Sequence, residues 1–229
     1  MRTIGLLGGM SWESSIEYER LINTEVRRRL GGVASADLII RSYNFAEIEA
    51  LQETDNWDEA GERLAGDAAR LEAAGAELIV LCTNTMHRVA STIEDAIDVP
   101  LIHITDPTAA AIHDEGLSKV GLLGTRYTME QGFYRDRLAG LGIASVIPDE
   151  PDRTTVHDII FDELVRGIIA PASRAAYIRV VDSLIERGAE GLVAGCTEIE
   201  LLIGDDDIPV PLFATTRLHA MAAVDAAMA

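Results

Sequence analysis

Lysine is almost absent from this chain of 229 residues, in which Lys119 stands alone among 19 lysine and arginine residues. A pyridoxal cofactor needs a lysine for its Schiff base, so only Lys119 could serve. Lys119 directly precedes an apolar run that we predict to be a strand. It would therefore lie at the amino end of a sheet, whereas ligands of parallel α/β sheets bind at the carboxyl ends of the strands. We expect no pyridoxal cofactor.

Cysteine is also scarce, and Cys82 and Cys196 are the only two. They form neither a CxxC motif nor a zinc-binding spacing, so we expect free thiols in a reducing compartment. The five histidines are scattered along the chain without a ligand-like pair. We therefore expect no bound metal.

Positive charge is in short supply, and the formal net charge is −19. This excess of acid argues against a nucleic-acid partner and against an anionic membrane surface. No apolar run reaches the ~18–20 residues of a membrane helix. The first residues do not resemble a secretory signal, because Glu13 and Glu17 follow a short apolar stretch. We expect a cytoplasmic protein.

What the sequence does contain is an alternation of short apolar runs with longer stretches of helical period. The predicted strands are Ile4–Leu7, Asp37–Ser42, Leu78–Leu81, Leu101–Ile104, Val120–Leu123, Ala144–Ile147, Gly191–Ala194 and Leu212–Phe213. The predicted helices are Ser14–Arg29, Trp57–Ala74, Thr85–Ala96, Asp106–Glu115, Met129–Leu141, Thr155–Arg166, Ser173–Arg187 and Thr215–Met228. This order predicts the α/β class, with parallel sheets covered by helices.

Three landmarks occur twice in the same order, which indicates two similar halves. IGLLGG at Ile4 matches VGLLGT at Val120, LIVLCT at Leu78 matches LVAGCT at Leu192, and VPL at Val99 matches VPL at Val210. We predict two Rossmann-like parallel-sheet domains related by pseudo-two-fold symmetry, with the ligand site in the cleft between them. The predicted domains are residues 1–105, on which the C-terminal helix 214–229 packs back, and residues 106–213.

The two cysteines occupy equivalent places in this repeat, each at the end of a predicted strand and each followed by threonine. Helix N-termini at these turns carry free N–H groups and a positive dipole end, which would lower the pKa of a thiol and favour the thiolate. The same donors would suit a substrate carboxylate. We therefore interpret Cys82 and Cys196 as functional thiols.

Two opposed thiols around one carbon can invert its configuration. One thiolate removes a proton and the opposite thiol returns one, while the site stabilises the carbanion that develops. Candidate donors for this stabilisation are Asn84, Thr85, Thr197 and backbone N–H groups. The sequence predicts a small-molecule enzyme that needs no cofactor.

These motifs resemble the cofactor-independent aspartate/glutamate racemase family over essentially the whole chain. The resemblance rests on GGMSWESS at Gly8, CTNTMH at Cys82 and GCTEI at Gly195. It implies an amino acid racemase, commonly a homodimer, in which Cys82 and Cys196 carry the protons. The substrate contacts that it implies, or that lie beside its motifs, are Met10, Ser11, Gln52, Thr83, Asn84, Thr85, Thr125, Thr197 and Glu198.

The chain departs from the acidic-amino-acid racemases in the loop after the second predicted strand. Where some of these racemases carry a basic residue, this sequence has the acidic stretch YNFAEIE at Tyr43. Arg41 and Arg166 are the remaining candidates to bind a side-chain carboxylate. A broad-specificity racemase therefore stays open beside aspartate and glutamate.

Three other functions compete with racemisation. A maleate isomerase or decarboxylase-like enzyme of the same superfamily would use similar thiol chemistry. A nucleotide-binding module is disfavoured because the glycines after the first strand match neither GxGxxG nor a P-loop. A non-catalytic amino-acid-binding protein would have no need of paired thiols.

Overall fold

The computed structural model describes residues 1–229, and its contacts divide the chain into two units. The first unit contains Met1–Ile104 and His219–Ala229, and the second contains Thr105–Leu218. The C-terminal segment is tied to the start of the chain, since the Arg2 N–H donates to the Ala227 carbonyl over 2.7 Å. No helix combines the length and the low polarity that crossing a membrane requires.

A four-stranded parallel sheet forms the centre of the first unit. Its strands are β1 (Ile4–Gly8), β2 (Leu38–Ser42), β3 (Leu78–Leu81) and β4 (Leu101–Ile102), arranged in the order β2-β1-β3-β4. Every residue of β1 and β3 is buried, as is typical of central strands that are covered on both faces. The helices are α1 (Trp12–Leu30), α2 (Phe45–Glu53), α3 (Trp57–Ala73), a 3-10 helix (Thr85–Val89) and α4 (Ala90–Glu94).

The second unit has a sheet of the same design. Its strands are β5 (Lys119–Gly124), β6 (Ala144–Val146), β7 (Gly191–Gly195) and β8 (Leu212–Ala214), in the order β6-β5-β7-β8. Its helices are α5 (Thr105–Asp114), α6 (Arg126–Glu130), α7 (Gly132–Gly140), α8 (Asp152–Asp162), α9 (Pro171–Glu186), α10 (Ile199–Leu202) and α11 (Thr215–Met228), which continues into the first unit. Two short 3-10 helices, Leu164–Arg166 and Asp205–Asp207, complete it.

The shared strand order confirms the prediction of two similar α/β units with parallel sheets. In each unit the chain passes from the first strand to one edge, crosses back, and then proceeds to the other edge. The direction reverses between β1 and β3 in the first unit and between β5 and β7 in the second. Ligands of open α/β sheets bind at such a switch point, outside the carboxyl ends of the strands. The loops after these four strands are therefore the candidate ligand-binding segments.

Each unit has its own apolar core. In the first, Tyr18, Ile22 and Val26 of α1 pack with Leu6 of β1, and the C-terminal part of α11 adds Ala220, Ala223, Val224 and Ala227 to the same cluster. In the second, Tyr177, Val180, Val181 and Leu184 of α9 pack against Leu123, Leu192 and Ala194 of the sheet. These side chains hold the central strands, and with them the loops at the carboxyl edges.

The structure corrects several predicted helices while retaining all eight predicted strands. The stretch at Tyr43, which we interpreted as a loop, contains helix α2. The predicted helix Thr85–Ala96 begins as a 3-10 helix, in which the His87 N–H bonds to the Asn84 carbonyl three residues back. The predicted helix Met129–Leu141 begins earlier and is broken at Gln131, whose backbone is extended. Short helices without a strong apolar period are poorly marked in sequence.

Candidate active site

The loop after β1 packs closely against the start of the loop after β2. Gly9 has φ +86°, and a Cβ at this position would lie 2.3 Å from the backbone nitrogen of Tyr43. Only glycine fits both the backbone conformation and this approach. The next residues, Met10 and Ser11, are buried. The Ser11 hydroxyl accepts a bond from the Ser14 N–H over 3.3 Å and so caps α1.

The first cysteine turn (residues 82–85) follows β3 beside this loop. The Cys82 N–H donates to the Leu7 carbonyl over 2.9 Å, which extends the pairing of β3 with β1 by one residue. The Cys82 side chain is fully buried, and Thr83, Asn84 and Thr85 are each less than a tenth exposed. The fold thus brings six predicted site residues to the switch point of the first sheet: Met10, Ser11, Cys82, Thr83, Asn84 and Thr85.

Gln52 lies on α2, which the sequence interpretation did not recognise as a helix. It is buried, and its Nε2 donates to the Met86 sulfur over 3.1 Å. Met86 immediately follows the first cysteine turn. The structure therefore places Gln52 against the segment that carries Cys82, even though the two residues are 30 positions apart in the sequence.

Three of the five histidines, which are far apart in the sequence, lie together beside the first cysteine turn. The ring centroids of His87 and His103 are 4.5 Å apart, and those of His87 and His219 are 5.7 Å apart. All three side chains are buried. Despite their proximity, no group of side chains in the structure has the arrangement of a metal site.

The second cysteine turn (residues 196–198) follows β7 in the second unit. The Cys196 thiol donates to the Glu198 carboxylate over 3.0 Å, and Glu198 itself is almost completely buried. Thr125, at the end of the neighbouring strand β5, caps α6 through a bond from the Thr128 N–H over 3.3 Å. Thr197 accepts a bond from the Thr216 hydroxyl over 3.1 Å. The sites predicted at Thr125, Cys196, Thr197 and Glu198 thus share the carboxyl edge of one sheet.

The prediction that helix N-termini lower the pKa of the two thiols is wrong. Burial raises the pKa of the Cys82 thiol well above its usual range. Burial also raises the pKa of the Cys196 thiol, and the negative charge of Glu198 raises it further. The helices after the two turns have only five and four residues, and a helix N-terminus contributes about 0.3–1 kcal/mol. Desolvation of a buried thiolate outweighs so small a contribution.

The two arginines proposed to bind a substrate side chain already have protein partners. The Arg166 side chain is 65% exposed and lies 3.6 Å from the Asp162 carboxylate. Arg41 donates to Asp67 over 2.9 Å and to the Ser42 carbonyl over 2.7 Å. The structure therefore places Arg166 at the surface of its unit rather than among the buried residues of the second cysteine turn.

Two buried residues that bond to these turns, His87 and Thr216, were not predicted as site residues from the sequence. His87 was quoted within the CTNTMH motif but received no role, and Thr216 was not considered. Their partners, Ile104 and Thr197, lie 17 and 19 residues away. Such contacts depend on how the strands are ordered and leave no local signal in the sequence.

Comparison with known proteins gives the same assignment as the duplicated cysteine turns. The family model for Asp/Glu/hydantoin racemases matches residues 7–223. The chain belongs to the Asp/Glu/hydantoin racemase family. Membership places the protein among the racemases, a class of isomerases, and the match spans both units.

Two solved structures resemble the chain over its whole length, and a further relative resembles three quarters of it. A crystal structure of a proposed Asp/Glu racemase from Yersinia pestis is 52% identical, with a TM-score of 0.94 and complete coverage of both chains. An aspartate racemase homologue from Pyrococcus horikoshii OT3 is 33% identical, with a TM-score of 0.86 and again complete coverage. The broad specificity amino-acid racemase RacX of Bacillus subtilis is 23% identical over 179 residues, which are 75% of this chain and 74% of RacX.

Proposed function

We propose that this racemase-family protein inverts the Cα centre of aspartate and/or glutamate without a cofactor, using Cys82 and Cys196 as the two proton carriers. The observation that carries the proposal is the duplicated cysteine turn. In each unit a cysteine follows a central strand at the switch point and is followed by a buried threonine. Inversion requires an acid and a base of matched kind, and two equivalent thiols meet that requirement.

The proposed reaction balances in protons and electrons. The thiolate of one cysteine removes the Cα proton, and the electron pair of the broken C–H bond is delocalised into the substrate carboxylate. The thiol of the other cysteine then donates its proton to the opposite face, forming the new C–H bond and leaving a thiolate. The reverse reaction exchanges the two roles. Buried donors at the cysteine turns, Asn84 and Thr85 among them, would stabilise the carbanion.

Glu198 gives Cys196 a local partner for its proton. Its carboxylate accepts a hydrogen bond from the Cys196 thiol, which favours the thiol as the resting form of Cys196. When Cys196 acts as the base, its proton must first leave, and Glu198 is the acceptor within hydrogen-bond distance. We therefore propose that Glu198 receives and returns the Cys196 proton rather than binding the substrate alone.

A panel of enantiomerically pure amino acids in D₂O tests the proposed function. The protein, purified without added cofactor, is expected to change the optical purity of L- and D-aspartate or glutamate and to introduce deuterium at Cα. Chiral chromatography and proton NMR measure the two events. Failure to racemise any amino acid in the panel would contradict the proposal.

The same panel decides between acidic and broad specificity. Arg41 and Arg166 are both engaged by carboxylates of the protein, which favours a site that does not depend on them to select an acidic side chain. The similarity to RacX, named for its broad specificity, points in the same direction. Racemisation of neutral amino acids at rates near those of aspartate would establish broad specificity.

Replacing Lys119 by methionine tests the absence of a Schiff-base cofactor. Lys119 lies at the amino end of β5, and its ammonium group donates to the Arg187 carbonyl over 2.7 Å. Because this end of the strand faces away from the ligand edge, we expect racemisation to remain within about 2-fold of the unmodified protein. A loss comparable to that of a cysteine variant would show that a lysine takes part in the chemistry.

Two further expectations accompany the proposal. Both cysteines are free thiols, which suits a reducing compartment, and the cytoplasm is the location that we propose. The homodimer implied by the family resemblance stays a prediction.

A further inference from the structure

His87 links the first cysteine turn to the segment that follows β4. Its Nδ1 lies 2.7 Å from the Thr83 carbonyl oxygen, and the Ile104 N–H donates to its Nε2 over 3.1 Å. A backbone N–H can only donate, so Nε2 is the acceptor and Nδ1 carries the hydrogen. Both ring nitrogens are therefore occupied by backbone groups. His87 is fixed in one tautomer and has no nitrogen left for proton transfer to a substrate.

The surroundings of His87 hold its ring in place. The rings of His103 and His219 pack against it at 4.5 and 5.7 Å. His219 is itself fixed, because its Nδ1 lies 2.8 Å from the Tyr18 hydroxyl and its Nε2 lies 2.6 Å from the Ile102 carbonyl oxygen. The link from β4 to the cysteine turn thus belongs to a rigid buried network in the first unit.

The second unit makes the corresponding link with a different residue. Counting from the cysteines, Leu201 occupies the place of His87, and it is 53% exposed and has no polar group to offer. Instead Thr216, which follows β8 as Ile104 follows β4, donates its hydroxyl to Thr197 over 3.1 Å. The neighbouring Thr215 hydroxyl donates to the Ala194 carbonyl over 2.7 Å. In both units, therefore, hydrogen bonds link the threonine after the cysteine to the segment that follows the adjacent strand. The link passes through His87 in the first unit and comes from Thr216 in the second.

We propose that His87 and Thr216 are positioning residues, each holding one cysteine turn so that its thiol keeps the geometry needed for proton transfer at Cα. The proposal rests on the two-thiol racemase function. The residues of each cysteine turn lie beyond the strand ends, where the backbone makes few sheet hydrogen bonds. The side chains of His87 and Thr216 therefore restrict the conformation of the turns. Misplacing a reacting group by about 1 Å can cost up to about 100-fold in rate.

Isotope effects distinguish positioning from a purely structural role. Each cysteine removes the Cα proton of one enantiomer, so each direction of the reaction reports on one thiol. His87→Phe is expected to lower kcat by about 10-fold or more with KM nearly unchanged. It should also raise the primary deuterium isotope effect only for the enantiomer that Cys82 deprotonates. Thr216→Val should lower kcat to a similar extent and should raise the primary deuterium isotope effect only for the opposite enantiomer.

Conservative variants and a matched control complete the experiment. His87→Asn keeps a donor for the Thr83 carbonyl, and Thr216→Ser keeps the hydroxyl, so both should recover most of the lost kcat. His113→Phe is the control, since His113 is exposed and bonds the Leu141 carbonyl in the second unit. An equal rise of the primary isotope effect for both enantiomers, or unchanged isotope effects in the Phe and Val variants, would overturn the proposal. If His87→Phe does not fold, the same comparison is made with His87→Leu, which also removes both ring nitrogens.

Thiol modification provides a readout that does not depend on racemase activity. A small methanethiosulfonate reagent is applied, and the modification rate of each cysteine is followed by mass spectrometry. His87→Phe should accelerate modification of Cys82 alone, and Thr216→Val that of Cys196 alone. If the wild-type protein racemises no amino acid, the proposed function fails. If the cysteines of the variants are modified at the same rates as those of the wild-type protein, His87 and Thr216 do not hold the cysteine turns.

Discussion

Alanine at Cys82 or at Cys196 is expected to reduce racemisation by about 1,000-fold or more, because either substitution removes one of the two proposed proton carriers. Each cysteine side chain is small, and its removal from the core leaves little space to fill. The variants should therefore retain the fold, which circular dichroism and thermal unfolding will verify. Chiral chromatography of long incubations measures the residual inversion.

A single remaining thiol should still exchange a proton without inverting the carbon. In D₂O, the variant with only Cys196 should introduce deuterium into one enantiomer, and the variant with only Cys82 into the other. This pairing of thiol with enantiomer also assigns the directions used to test His87 and Thr216. Deuterium entering both enantiomers equally in either variant would contradict the assignment of one thiol to each face.

Glutamine at position 198 is expected to lower kcat/KM at neutral pH by about 100-fold, and equally in both directions because the two enantiomers have equal free energy. Glutamine preserves the size of the side chain and can still contact the thiol. It cannot take up the proton that, in the proposed mechanism, passes over the 3.0 Å between Cys196 and Glu198. Glu200→Gln is the matched control, since Glu200 lies two residues further on and only weakly affects the pKa of Cys196.

The pH dependence of the Glu198→Gln variant has a definite sign. The negative charge of Glu198 helps to raise the pKa of Cys196, so its removal should lower that pKa. The thiolate of Cys196 is favoured as pH rises, and at alkaline pH the solvent can remove the proton that Glu198 no longer accepts. The deficit of the variant should therefore shrink as pH rises. A deficit that is constant between neutral and alkaline pH would exclude proton transfer to Glu198.

Much of the fold could be predicted because its strands are marked locally. The central strands β1, β3, β5 and β7 are continuous apolar runs, and the repeat of Gly and Cys-Thr landmarks disclosed two units. Helix α2 was missed because it has only nine residues and its N-terminal Asn44 makes no side-chain cap. Short elements of this kind are defined by their packing against the rest of the unit.

The sequence predicted the two cysteines of the candidate site, but it did not predict the direction in which their pKa values are shifted. The equivalence of Cys82 and Cys196 follows from the repeat, and the Cys196–Glu198 contact spans only two positions. The direction of the thiol pKa shifts depends on burial, which no local pattern reveals. The link from Thr83 through His87 to Ile104 depends on β3 and β4 being neighbours, a property of the sheet order.

The unequal surroundings of the two thiols give the unliganded enzyme two forms of different free energy. In the proposed two-thiol mechanism, each inversion leaves the protons of Cys82 and Cys196 exchanged, so the protein released with product is not the form that bound the substrate. Cys196 has a carboxylate to accept its proton, whereas the Cys82 thiol faces only the Val80 carbonyl, at 3.8 Å. Enantiomers have equal free energy in solution, so kcat/KM must be the same in both directions. The maximal rates need not be equal, and at high substrate concentration the return of the protons between turnovers becomes the step that limits the flux.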